Sequence, residues 1–139
     1  MEMKKILLAM VLLGLTGCAT KPVTNEQAKD VPVSQIIDKT MLSKKENTGA
    51  VIIKRDSGFM GSACLTRVYI DGKEIADLDT SEKVTVYPLV GEHIFSAWPK
   101  GLCGGGMSEQ SGKVNTDKPL MYRVGYGTNG DFGIYPTAF

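Results

Sequence analysis

Asp71-Gly72 stands between two β-prone runs, residues 65–70 and 73–78, with nothing else separating them. A two-residue connection between antiparallel strands needs positive φ at both central positions, and Asp-Gly is among the few dipeptides that accept it. The pair therefore predicts a tight hairpin. Similar short runs, punctuated by turn residues, fill much of the chain. Val51-Ile52-Ile53 marks a buried strand within 49–54. Residues 83–87 alternate, with Val84 and Val86 on one face and Thr85 and Tyr87 on the other. Residues 91–98 do the same, with His93, Phe95 and Ala97 opposed to Ile94, Ser96 and Trp98. Further strands are expected near 109–114, 120–126 and 132–135, the last two joined through Thr128-Asn129-Gly130-Asp131. The 16 glycines, with recurring Val, Ile, Thr and Tyr, favour tight turns and strands over a helical bundle. The expected fold is mainly β: a small antiparallel β-sandwich of about seven or eight short strands. One short helix precedes it over 32–42, where Pro32 suits a first turn and Val33, Ile36, Ile37 and Met41 fall on one helical face.

The N-terminus has a different character. Lys4 and Lys5 precede an apolar run over 6–15. That run is too short for a membrane-spanning helix, which needs about 20 residues, and has the length of a signal-peptide core. It ends in Leu15-Thr16-Gly17-Cys18, which resembles the bacterial lipobox. The resemblance implies diacylglyceryl transfer to the Cys18 sulfur, cleavage before Cys18 and acylation of the new amine. Residues 1–17 are thus expected to be a lipoprotein signal peptide, 18–31 a lipidated cysteine and flexible tether, and 32–139 the β-sandwich domain. Ala19 stands where the familiar inner-membrane retention pattern has Asp, so the resemblance points to the outer membrane, with the domain facing the periplasm.

Removing residues 1–17 takes away two of the 16 basic and one of the 15 acidic side chains, leaving 14 of each. A neutral chain without a basic block lacks what nucleic-acid binding requires. It also lacks a polybasic membrane patch, so membrane attachment falls to the lipid, where two or three acyl chains hold firmly. Of the three cysteines, Cys64 and Cys103 remain as an even pair in an oxidising compartment, and a disulfide is expected. It would close a loop of about 40 residues, worth about 4 kcal/mol in the chain-entropy account.

Val68-Tyr69-Ile70-Asp71-Gly72-Lys73, then Val84-Thr85-Val86-Tyr87-Pro88-Leu89, then Gly91-Glu92-His93 resemble the PEGA-type repeat found in small Gram-negative lipoproteins. The likeness covers residues 64–98. It implies a small antiparallel β-sandwich serving as an extracytoplasmic binding or scaffold module, and it implies no catalytic activity. The Cys64/Cys103 pair and the Gly-rich segment 101–106 fall outside the pattern.

Residues with chemical potential are few. His93, the one histidine, reads as a strand residue at the edge of the core. One histidine and two paired cysteines cannot supply the three or four ligands of a zinc site, so no metal or cofactor is expected. Gly61-Ser62-Ala63-Cys64 is not the G-x-S-x-G elbow of serine hydrolases. Asp77 and Asp79 sit beside a turn, where exposed acids are ordinary. Residues 101–106 lack the Lys-Ser/Thr and the helix of a phosphate-binding loop. Around that loop Trp98, Leu102 and Met107 form a candidate contact surface, although the reading favoured for Trp98 is that it caps the core. These readings favour a non-enzymatic accessory or binding module of the cell envelope. The alternative is a surface-displayed interaction protein, such as a phage-encoded factor that occludes a receptor or an enzyme inhibitor.

Overall fold

Nine strands form two sheets in the computed structural model, which describes residues 19–139. They are β1 (Lys29–Asp30), β2 (Val51–Arg55), β3 (Thr66–Ile70), β4 (Lys73–Leu78), β5 (Glu82–Val86), β6 (Gly91–Pro99), β7 (Ser108–Val114), β8 (Leu120–Tyr126) and β9 (Phe132–Pro136). One sheet has the order β1-β5-β2-β8-β9 and the other β4-β3-β6-β7. The signal peptide expected at 1–17 and the acylated Cys18 lie outside the described residues.

The hairpin at Asp71-Gly72 forms as expected, with φ of 51° and 78° at the two positions, and β3 and β4 pair from Ile70↔Lys73 outward. Strand alternation sends Val51, Ile53, Val84, Val86, Tyr122, Val124 and Ile134 of one sheet against Val68, Ile70, Leu78, Phe95, Ala97 and Val114 of the other. At the centre the rings of Phe95 and Tyr122 lie 4.8 Å apart, tilted across the interlayer, a favourable arrangement for aromatic pairs. Most pairings are antiparallel. Two are parallel: β2 with β8 and β1 with β5. Placing β8 beside β2 rather than beside β7 carries the chain from one sheet to the other.

The expected helix over 32–42 resolves into two single 3-10 turns, Val33–Gln35 and Lys39–Met41. Backbone pairing with β4 interrupts the helical path. Ile36 bridges Ala76, and the amides of Ile37 and Asp38 both donate to the Ile75 carbonyl. Ile36, Met41 and Leu42 pack on the core one by one, whereas Val33 and Ile37 stay exposed.

The segment expected as a free tether over 18–31 is docked from Thr20 onward. Val23, Ala28 and Val31 are buried, Lys21 bridges Ser57, and Lys29–Asp30 runs parallel to the edge of β5. An edge strand offers unpaired amides and carbonyls that a passing chain can satisfy whatever its side chains. Polar composition therefore hid the docking.

Candidate functional site

Strands β2, β4, β6 and β8 end, and β3, β5, β7 and β9 begin, at one end of the sandwich. Four connections gather there: 56–65, 79–81, 100–107 and 127–131. Cys64 and Cys103 join the first to the third at disulfide distance, with their Cα atoms 6.1 Å apart, a separation that suits such a bridge.

Arg55 builds the floor of this end. Its Nη1 donates to the carbonyls of Cys64 (2.6 Å) and Leu78 (2.9 Å), and its Nη2 to that of Gly61 (2.7 Å). The guanidinium is buried and, among the described residues, has no carboxylate at ion-pair distance. Burial draws its pKa below the ordinary guanidinium range. Three carbonyl acceptors offset part of the cost of burying that charge.

Behind Arg55, Asp56 is buried on the other face of the same strand end. Arg123 forks onto its two carboxylate oxygens, and Thr20 Oγ1 donates to Oδ2 at 2.8 Å. The hydrogen bond to Asp56 raises the Arg123 pKa above its usual value.

Gly61 of the first loop and Gly105 of the third make room for an aromatic pair. Tyr126 donates to the Gly104 carbonyl at 3.2 Å and packs edge-on against Phe132, with 5.3 Å between ring centres. Gly61 (φ 70°) lies on the Tyr126 ring, and Gly105 (φ 121°) lies on Phe132 with 2.9 Å to where a Cβ would stand. A side chain at either position would push the loop off the aromatic pair.

The three contact-surface candidates all reach solvent. Trp98 is 38% exposed, Met107 52% and Leu102 fully exposed. Trp98 pairs with Arg67 on the outer face of the four-stranded sheet, so it does not cap the interlayer core. Met107 directly precedes Ser108, the partner of Ala97, which places it beside Trp98. Leu102 stands apart at the loop tip, on a shallow cleft lined by Ala63, Cys64, Leu65, Lys100 and Gly101. Phe59, an exposed side chain on the neighbouring loop, is a further member of this end. A lone aromatic between Gly58 and Met60 carries no period by which the sequence could have flagged it.

Other candidates disperse. His93 is at the opposite end. There Nδ1 meets Asp71 Oδ2 and Nε2 meets the Leu89 carbonyl oxygen, both at 2.6 Å. Both partners only accept, so both ring nitrogens must donate, which defines an imidazolium. Burial opposes that charge, but the Asp71 and Leu89 hydrogen bonds outweigh it and raise the pKa above the usual histidine value. His93 is therefore a clamp on the Asp71-Gly72 turn. Asp77, expected as an exposed turn acid, is buried on the outer face of β4. Arg67 holds it at 2.8 Å and Lys100 at 2.9 Å, and the Arg67 hydrogen bond depresses its pKa. Asp79 is exposed and turns back to the Thr80 amide, so the two acids form no pair. Ser62 lies within the bridged loop and His93 at the far end of the sandwich, so the two cannot act together.

No family model, curated protein or solved structure matches this chain.

Proposed function

We propose that this chain is an outer-membrane lipoprotein, held by acyl chains on Cys18, that serves the cell envelope as a non-enzymatic accessory or binding module. The observation that carries this reading is the ordered leader: Lys4 and Lys5, the apolar run over 6–15, then Leu15-Thr16-Gly17-Cys18. Ala19 in place of Asp supports outer-membrane sorting, and the likeness of residues 64–98 to the PEGA-type repeat supports a binding or scaffold role. The contact surface is assigned to the disulfide-linked end: Trp98 and Met107 on its flank and Leu102 at its tip. Loops held on a rigid β-scaffold are frequent recognition sites, and tryptophan and methionine suit contact chemistry.

Cells fed a clickable fatty acid test the anchor. Wild-type protein takes up label and fractionates with the outer membrane, whereas Cys18→Ser takes up none and keeps its leader. An unlabelled wild type refutes the reading. Photo-crosslinking residues placed at 98 and 107 should capture an envelope component that one placed at 93 does not. Capture from 93 alone would move the contact surface to the opposite end.

A further inference from the structure

We propose that the disulfide-linked end is the membrane-facing end of the domain, with Phe59 and Leu102 entering the boundary between lipid headgroups and acyl chains. The inference rests on the Cys18 anchor and deepens the contact-surface reading: the occupant of its tip is the bilayer itself.

Thr20 is pinned to the sandwich by three hydrogen bonds. Its amide donates to the Tyr126 carbonyl at 3.0 Å, and its hydroxyl both donates to Asp56 and accepts from the Tyr126 amide at 2.7 Å. Lys21 and Ser57 then exchange two backbone hydrogen bonds, at 2.8 and 2.9 Å. The chain is therefore fixed to the sandwich from Thr20 onward. In sequence only Ala19 separates Thr20 from Cys18. Two extended residues span at most about 7 Å. Acyl chains on Cys18 thus enter the membrane beside Thr20, and the domain has no slack in which to turn another face to the lipid.

The surface at that position is apolar where it protrudes. Gly58 packs against Thr20, with 3.3 Å from its Cβ position to the Thr20 Cα, and Phe59 follows at once. Phe59, 90% exposed, and Leu102, fully exposed, are the two most exposed large hydrophobic side chains among the described residues. Both project from this end, on loops joined by the Cys64–Cys103 bridge. Solvent offers no reason to display them together, whereas burial of an aromatic ring and a leucine in the interfacial region is favourable.

Tryptophan emission tests this, because Trp98 is the single tryptophan. In a Trp98→Phe background, Phe59→Trp, Leu102→Trp and, as control at the opposite end, Leu89→Trp are purified as lipidated full chains. Each is reconstituted into phosphatidylcholine vesicles with acyl chains brominated near the headgroup. Mass spectrometry of the N-terminal peptide and vesicle flotation read the anchor independently. The probes at 59 and 102 should shift to the blue and lose most of their emission to bromine, while the probe at 89 keeps its own. Chains that carry lipid and float, yet leave the probes at 59 and 102 unquenched, overturn the orientation and leave the anchor standing. A concentration-dependent blue shift in detergent, without quenching in vesicles, overturns it in favour of a second copy of the chain. A chain without lipid removes the anchor and this inference together.

Discussion

The hydroxyl of Tyr122 occupies the space that a side chain at Gly112 would fill, and it donates to the Ser111 carbonyl at 3.1 Å. Tyr122 comes from β8 and Gly112 from β7, so one missing Cβ lets the largest fully buried side chain of one sheet reach the edge strand of the other. That strand carries little apolar surface of its own, since Val114 is its one fully buried residue.

Gly112→Ala should therefore destabilise the domain by about 1–3 kcal/mol, the usual cost of overpacking. Tyr122→Phe alone should cost less, through the lost hydrogen bond, about 1 kcal/mol. Combining them should recover part of the alanine penalty, because the atom that the added methyl group strikes first is gone. Only part returns, since Leu120 Cδ2 also stands 2.9 Å from the Cβ position. Urea unfolding of the two single variants and the double variant measures the coupling. Strict additivity would refute the steric account.

Arg55 leads to a second prediction. Three carbonyls at this end, two from the loop and that of Leu78 from β4, share one buried guanidinium, and its removal takes a donor from each, leaving the Gly61 carbonyl only the Cys64 amide. Arg55→Met should cost at least about 2 kcal/mol, and Arg55→Lys should rescue little, because an ammonium cannot span the planar fork. Faster amide exchange at Ser62 and Cys64, whose amides donate to Phe59 and Gly61 within the loop, should accompany the loss. Unchanged exchange there with a lowered global stability would assign Arg55 to the core and not to the bridged end.

What the sequence revealed follows from which forces leave a local trace. Alternation and turn chemistry are local, so eight strands and the Asp71-Gly72 hairpin were legible, as was the Cys64/Cys103 pair. The strand Lys29–Asp30 is held by backbone pairing to β5 alone, and its exposed side chains carry no hydrophobic signal. Val33, Ile36, Ile37 and Met41 have helical spacing, yet hydrogen bonding of 36–38 to β4 prevails over it. The parallel placement of β8 beside β2 depends on contacts about 70 residues apart, which no window on the sequence samples. At the candidate site, Trp98, Leu102 and Met107 were legible as apolar residues in or beside the Gly-rich loop. Thr20, Arg55, Asp56 and Arg123 were not, because a polar residue acquires its buried partner only when the fold brings the two together.

The last prediction concerns His93. Its folded pKa is raised above the unfolded value of 6.5, so its pairing with Asp71 contributes stability that is full below the unfolded value and disappears as pH rises through the folded one. Asp71 carries its negative charge throughout that range: burial disfavours the charge, but the Ile94 amide and His93 hold its pKa below the usual carboxylate value. The other groups facing the ring are the Leu89 carbonyl, Glu92 and the Phe95 ring. His93 is also the only histidine in the chain, and no other side chain here has an unperturbed pKa in that range. Thermal melts should therefore show wild type losing stability as pH rises from the unfolded value of 6.5 through the raised folded one. His93→Gln should be less stable than wild type at the acid end of that range and should stay flat across it. Above the folded pKa the two should converge, because a neutral imidazole can donate from only one nitrogen and leaves either Asp71 or the Leu89 carbonyl without its partner. Asp71 is half exposed, so solvent screening keeps the amplitude small, and the difference between the two pH profiles is the quantity to read. A wild-type profile parallel to that of His93→Gln would show that the ring is held by packing against Phe95 and not by its charge.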